Sequence, residues 1–345
     1  MSAWNKIFGS GNDQALITVC GLDHQTFNKL NHIFKPLFDR FTPFHGPGGT
    51  FCFQLLDGNQ YPGGRPRSVT SEMCLGMCLM WSRTRGSNWN LGIIFGTTSS
   101  TTHAWIKFGR KLIVSILCNH DEAKVKLPSP QMVQVYKMAI NQKHCHLHDF
   151  CGVVDELRLC LQQAGDAVIQ EKFYGGWKKD HFVGNIFAFA PDGTIFACSL
   201  NAPGSWHDSY IAEIGGVYRK LEQLWNMCHG RVVMDSAFPK KDWNIISGHP
   251  NPEDGELVQQ EATSLRQSAE WGMRAFQGSF PRVKDHFIYE EQGERLVYLQ
   301  FITLLYNFRA QNVGLNQIQS VYMPYLNADA NGALGMPPAV EVNVE

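Results

Sequence analysis

The sequence predicts a mixed α/β domain preceded by an all-α region. Three observations predict it. Apolar residues recur at helical spacing before position 118. From Gly152 onward, short apolar runs of strand length alternate with helical stretches. Pro191-Asp192-Gly193-Thr194 sits between two such runs and reads as a hairpin turn. The chain has 345 residues, enough for one large or two ordinary domains, and 44% hydrophobic content favours a packed globule over disorder.

Residues 1–67 form an N-terminal helical region by this reading. Phe27, Leu30, Phe34, Leu37, Phe38 and Phe41 recur at roughly helical spacing. A turn-rich break follows from Asp57 to Ser68, where Pro and Gly stop any regular element. Residues 68–120 then read as three helices. Ser71 and Glu72 mark the start of the first, which should end near Thr84-Arg85-Gly86. A short second helix runs from Ser87 or Asn88 to Phe95, Gly96 permits a sharp turn, and Ser99 to Thr102 open a third helix. That outline is a helix-turn-helix, and the stretch is locally basic. Arg65, Arg67, Arg83, Arg85, Lys107, Arg110 and Lys111 face only Glu72 as an opposing acid between positions 60 and 112. Concentrated positive charge of this kind binds phosphates. An ordinary three-helix unit with a solvated basic face fits the same residues.

Residues 121–149 read as a connector with a short amphipathic helix around Val133–Ile140 and a His-rich turn. Strands are expected at 150–161, 181–190 and 195–200. A helix is expected from Ser209 to Trp225, and then a strand ending at Asp235. Beyond a loop with Pro250 and Pro252, a helix spans Glu261–Phe276 and a last one about Glu294–Asn307; residues 311–345 form a C-terminal tail.

Three acids stand in contexts that suit divalent-metal chemistry. Asp155 ends the apolar run Phe150-Cys151-Gly152-Val153-Val154, Asp235 ends Val232-Val233-Met234, and Glu270 lies within a helical segment. Two strands and a helix can gather three carboxylates that are distant in sequence. Hard cations such as Mg²⁺ prefer carboxylate oxygens, and a pair of them can clamp both sides of a phosphodiester exchange. Three unrelated surface acids are the plain alternative.

Several other residues carry two readings. Arg266 and Arg274 flank Glu270 at one helical turn either side, where they could meet DNA phosphates or pair with the acids. Asp208 is either an auxiliary carboxylate or, as favoured here, the cap of the helix that follows, with the role of His207 open. His144, His146 and His148 would share a face if extended. No Cys-x-x-Cys or second His pair accompanies them, so a polar loop is preferred over a zinc site.

Net charge is −1, so global basicity announces no nucleic-acid partner. The ten scattered cysteines include no Cys-x-x-Cys pair. No secretory signal and no membrane span is expected, which makes a reducing intracellular compartment the default.

The ordered segments resemble the endonuclease domain of PIF/Harbinger-type DDE transposases over roughly 150–310. They are the strand around Asp155, Phe173-Tyr174-Gly175-Gly176-Trp177, and Ala190-Pro191-Asp192-Gly193-Thr194. Next come Asn201-Ala202-Pro203-Gly204-Ser205-Trp206-His207-Asp208-Ser209, Met234-Asp235-Ser236-Ala237-Phe238-Pro239, and Arg266 to Arg274. The resemblance implies a ribonuclease H-like mixed sheet flanked by helices. It also implies Asp155, Asp235 and Glu270 as catalytic ligands of two Mg²⁺ or Mn²⁺ ions, and cutting and joining of transposon ends and target DNA. Eighty positions separate the first two acids and 35 the last two, the second resembling the family's usual short spacing. Glu156 stands where the family usually carries Gly. A Myb-like DNA-binding protein as partner, a homo-oligomer and a nuclear location are in keeping with the resemblance. No strong import cluster is present beyond Lys178-Lys179 and Lys240-Lys241. The competing reading is a domesticated DNA-binding protein that keeps the fold without cutting.

Overall fold

The computed structural model describes residues 2–45, 51–55, 67–248, 255–288 and 292–324. Most of the expected break at 57–68, the Pro250–Pro252 loop and the end of the C-terminal tail lie outside these residues. Among the described residues no helix is long and apolar enough to cross a membrane.

The helical region opens with α1 (Ala3–Gly9), α2 (Asp13–Cys20) and α3 (His24–Arg40). Side-chain oxygens of Ser2, Asn12 and Asp23 cap these helices. Phe27, Leu30, Phe34 and Phe38 are buried along α3, as their spacing predicts. Phe41 does not extend that helix; it begins strand β1 (Phe41–His45), which pairs antiparallel with β2 (Phe51–Leu55). Next come α4 (Ser71–Arg83), α5 (Asn88–Phe95) and α6 (Ser99–Leu117), close to the expected bounds. Thr70 and Thr98 cap α4 and α6, and Gly96 closes α5 with a positive φ. Then α7 (Pro130–Lys143) leads to the sheet.

The sheet contains β3 (Phe150–Cys160), β5 (Asp180–Phe189), β6 (Ile195–Pro203), β7 (Arg231–Met234) and β8 (Asn244–Ile246) in spatial order β6-β5-β3-β7-β8. The two-residue β4 (Tyr174–Gly175) also pairs with β5 and follows α8 (Ala167–Phe173). The β3–β5 and β5–β6 pairs are antiparallel; β3–β7 and β7–β8 are parallel. This mixed sheet is flanked by helices on both faces.

The expected helix from Ser209 to Trp225 is two helices, α9 (Asp208–Ile214) and α10 (Val217–Cys228). Gly216 between them has φ +72, a left-handed conformation that interrupts the helix and costs Gly little. Beyond the second face run α11 (Glu256–Ser279) and α12 (Gln292–Val313), both longer than expected, and α13 (Gln317–Tyr322). The stretch read as tail from 311 therefore begins inside α12.

Two apolar layers sandwich the sheet. On one side Val154, Ile186, Ala188, Val232 and Met234 pack with residues of α7, α9 and α10. On the other, Val153, Leu157, Leu159, Phe187, Phe189 and Val233 pack with α11, α12 and the N-terminal helices in one continuous core. Polar ties reinforce that second layer. Arg83 Nη1 donates to the Ser279 carbonyl (2.8 Å), Arg282 Nε to the Trp81 carbonyl (2.6 Å) and Arg309 Nε to the Gly21 carbonyl (2.9 Å).

Candidate active site

Side-chain alternation along a strand decides which acids can meet. Val153, Leu157 and Leu159 of β3 face the α11 layer, so Asp155, in step with them, faces it too. Val154 faces the α9 layer, and Glu156 follows it. On β7, Val233 faces the α11 layer, and Asp235 lies two residues on. The parallel register pairs Val153 with Val233, and extending it by two positions sets Asp155 beside Asp235. One carboxylate on β3 and one just past the end of β7 thus point to one face of the sheet.

The local setting of each follows from its turn. Asp155 Oδ1 accepts from the Glu156 backbone N–H (2.8 Å), and its side chain is 19% exposed. Burial pushes its pKa up to about 6, with the neighbouring Asp235 charge adding to the rise. The Glu156 N–H and the Arg266 guanidinium oppose it. Asp235 caps the turn after β7, its Oδ1 accepting from the Ala237 N–H (2.9 Å).

Helix α11 lies over this face. Leu265, Ala269, Gly272 and Phe276 form its buried stripe. A Cβ at Gly272 would lie 2.8–2.9 Å from three atoms of the Phe189 ring, so glycine lets the helix sit close to the sheet. Arg266 reaches down to Asp155 (Nη1–Oδ2 3.7 Å). Glu270, one turn further along, is 53% exposed and pairs with Arg274 (3.6 Å). Both arginines therefore engage acids, the second of the two roles their spacing allows. Among the described residues, Asp155, Asp235 and Glu270 do not form a group of three ligand atoms within 4.8 Å of one another.

Asp208 does not cap α9. The cap is the exposed His207, whose Nδ1 accepts from the Ser209 N–H (3.4 Å). Asp208 is the first helical residue and is buried on the α9 side of the sheet, where Arg158 Nη2 approaches it (3.5 Å). Glu156, nearly fully buried, pairs with Arg158, which also approaches Asp208. Burial, with the Asp208 charge next, raises the Glu156 pKa, and Arg158 opposes the rise. Strand alternation thus turns Glu156 and its partner Asp208 to the face opposite Asp155, although the Asp208 charge still adds to the rise of the Asp155 pKa. The Glu156–Arg158 pair escaped the sequence reading, although its i, i+2 spacing on a strand is a usable signal.

Among the described residues, the basic side chains of α4 to α6 pair with groups of the same molecule. Lys107, Arg110 and Lys111 of α6 surround Glu294 of α12 at 3.2, 3.5 and 3.1 Å. Arg110 is buried against the Trp81 ring (4.4 Å). Arg85 pairs with Asp285, and Arg83 donates to the Thr18 and Ser279 carbonyls. The middle of α6 is packed rather than solvated; Ser99, Ser100 and His103 in its first turns are exposed. A helix so covered cannot lay its whole length in a groove of DNA.

The three histidines of the 144–148 segment diverge. His144 is buried against the Tyr322 hydroxyl (3.1 Å), His148 meets Asn141 (3.0 Å), and His146 meets Glu261 (2.9 Å).

The chemistry of the Asp155–Asp235 pair fits a divalent cation. Two carboxylates held side by side, one with its proton affinity raised, gain from a positive charge placed between them. Residues 154–307, just under half of the chain, match the family model described as DDE superfamily endonuclease. The chain matches neither a curated protein nor a solved structure.

Proposed function

We propose that this DDE superfamily endonuclease domain is an active, metal-dependent DNA nuclease and strand transferase of the PIF/Harbinger transposase type. The observation that supports the reading is the register of β3 against β7, Val153 opposite Val233, which when extended by two positions points Asp155 and Asp235 to the face covered by the helix that bears Glu270.

Asp155, Asp235 and Glu270 would hold two Mg²⁺ or Mn²⁺ ions, which activate the attacking oxygen and offset charge on the leaving one in an in-line displacement. The protein side of the chemistry follows from the site. With a pKa of about 6, Asp155 is largely ionised at neutral pH and offers both oxygens. The Glu156 N–H fixes one of those oxygens, so the residue that replaces the family's usual Gly contributes through its backbone while its side chain is turned to the opposite face. Arg266 and Arg274 balance the acids in the metal-free protein. With cations at the acids, Arg266 and Arg274 would be free to turn to DNA phosphates as bidentate donors. Glu270 would complete the ligand set from a helix whose close approach to the sheet Gly272 permits.

The same site serves cutting and joining, because both are phosphoryl transfers and differ only in whether water or a DNA 3′-hydroxyl attacks. In a eukaryotic host, DNA substrates would call for a nuclear location, and a Myb-like DNA-binding partner would assist import and end recognition.

One observation favours the non-cleaving alternative: Glu270 is exposed and paired with Arg274, away from the two aspartates. Strand cleavage assayed with Mg²⁺ on duplex DNA, including any inverted repeats found beside the gene, separates the readings. Wild type should cleave and Asp235→Asn should bind without cleaving. Binding without cleavage by the wild type, in Mg²⁺ and in Mn²⁺, would leave the DNA-binding reading standing.

A further inference from the structure

The polar segment between α7 and β3 carries a second set of metal-ligating side chains. Cys145 Sγ, His146 Nδ1 and a Glu261 carboxylate oxygen lie within 4.8 Å of one another. The separations are 3.4 Å for Sγ–Nδ1, 3.5 Å for Sγ–Oε1 and 2.9 Å for Nδ1–Oε1. Tetrahedral zinc, with bonds of about 2.3 Å to sulfur and about 2.0–2.2 Å to nitrogen and oxygen, spaces its ligand atoms by roughly 3.4–3.6 Å. Both sulfur pairs already meet that spacing within about 0.2 Å, and the nitrogen–oxygen pair needs to open by about 0.5 Å.

We propose that Cys145, His146 and Glu261 form a Zn²⁺ site that joins the segment leading into β3 to helix α11. A thiolate, an imidazole and a carboxylate are a zinc set; Mg²⁺ and Ca²⁺ favour oxygen alone. Water completes the tetrahedron. The ligands are also oriented. The His146 backbone N–H donates to Glu261 Oε2 (2.8 Å), which leaves Oε1 turned toward the sulfur and the imidazole. Asn141 Nδ2 donates to the Cys145 carbonyl (3.1 Å) and holds the turn. Hydrogen-bond partners of this kind fix ligands and sharpen metal affinity. Cys145 and His146 are exposed, so an ion reaches them from solvent. Sequence alone withholds the site because Glu261 lies 116 positions from Cys145.

The location gives the site a consequence. Glu261 sits on the same helix as Glu270, and the Cys145 segment runs into the strand that carries Asp155. A zinc clamp there sets the position of α11 over β3. That consequence rests on the proposed nuclease function; the site itself does not.

The test is titration of the reduced, metal-free full chain with Co²⁺, followed by displacement with Zn²⁺. A thiolate-to-cobalt charge-transfer band should appear in the near ultraviolet, saturate at one equivalent and vanish on addition of Zn²⁺. Cys145→Ser should abolish the band, and Glu261→Gln should weaken Co²⁺ binding at least about tenfold. Cys118→Ser, at another exposed thiol, and Asp235→Asn should keep it. No band in the wild type, or a band that survives Cys145→Ser, overturns the proposal. Because Asp155, Asp235 and Glu270 supply only oxygen, cobalt bound there gives no such band. An intact band with no DNA cleavage would refute the nuclease and spare the zinc site.

Discussion

Replacing Asp155 with Asn should abolish cleavage and yet stabilise the metal-free protein at alkaline pH. In the folded chain this carboxyl titrates at about 6, against an ordinary value of 3.8. A carboxyl whose folded pKa is raised favours folding in its protonated form. The benefit is fully present below pH 4 and is lost as pH climbs through 6. The two-unit rise corresponds to about 3 kcal/mol of lost stability at pH 8, an upper figure because the side chain is 19% exposed. The substituted amide is permanently neutral, and its oxygen can still accept the Glu156 N–H. In EDTA at pH 8 the Asp155→Asn variant should therefore melt higher than wild type, by about 4 °C for a chain of this size. At pH 4 the two should coincide. Saturating Mg²⁺ should close the gap at pH 8 by stabilising the wild type alone. Calorimetry across pH 4–8 measures all of this. A difference in melting temperature that stays flat with pH would refute the argument, and so would a wild type that is the more stable at pH 8.

Glu270→Gln should lower cleavage at least about 100-fold. Its melting temperature should stay within about 1 °C, since an exposed side chain paired only with Arg274 contributes little to stability. At subsaturating Mg²⁺ the cleavage rate should fall as pH drops through about 6, because a proton competes with the cation for Asp155 of the metal-free protein, and Arg266→Gln should move that limb to higher pH because the guanidinium opposes protonation there. Gly272→Ala should cost about 1–3 kcal/mol by pressing its methyl group on the Phe189 ring. Denaturant melts measure that loss, and cleavage should suffer beyond it because α11 is displaced. Asn307→Ala should cost about 2–4 kcal/mol in the same melts, because the side chain satisfies both the N–H (2.7 Å) and the carbonyl (2.9 Å) of Ile195.

The long elements were legible because their signals are local. Runs such as Phe150–Val154 and Phe182–Phe189 have strand length and apolar character, and Ser71 and Ser99–Thr102 mark the starts of α4 and α6 to within a residue of the actual caps, Thr70 and Thr98. The register was not legible. Nothing in an 80-residue separation says that Asp155 and Asp235 are neighbours; sheet pairing decides it. Gly215-Gly216 is compatible by sequence with a continuous helix, and only the left-handed φ of Gly216 makes it a break. The cap of α9 moved by a single residue, from Asp208 to His207, and that shift sends the Asp208 carboxylate into the sheet. The basic stretch of α6 was legible as charge but not as surface, because Glu294, its counter-charge, lies more than 180 positions away.

Diffraction from crystals soaked in Mn²⁺ tests the metal site most directly. Anomalous peaks should lie within about 2.2 Å of carboxylate oxygens of both Asp155 and Asp235, with Glu270 turned toward them and Arg266 displaced. Saturating Mn²⁺ that leaves this face of the sheet bare, or an Asp155 and Asp235 separated by more than about 10 Å, would contradict the account.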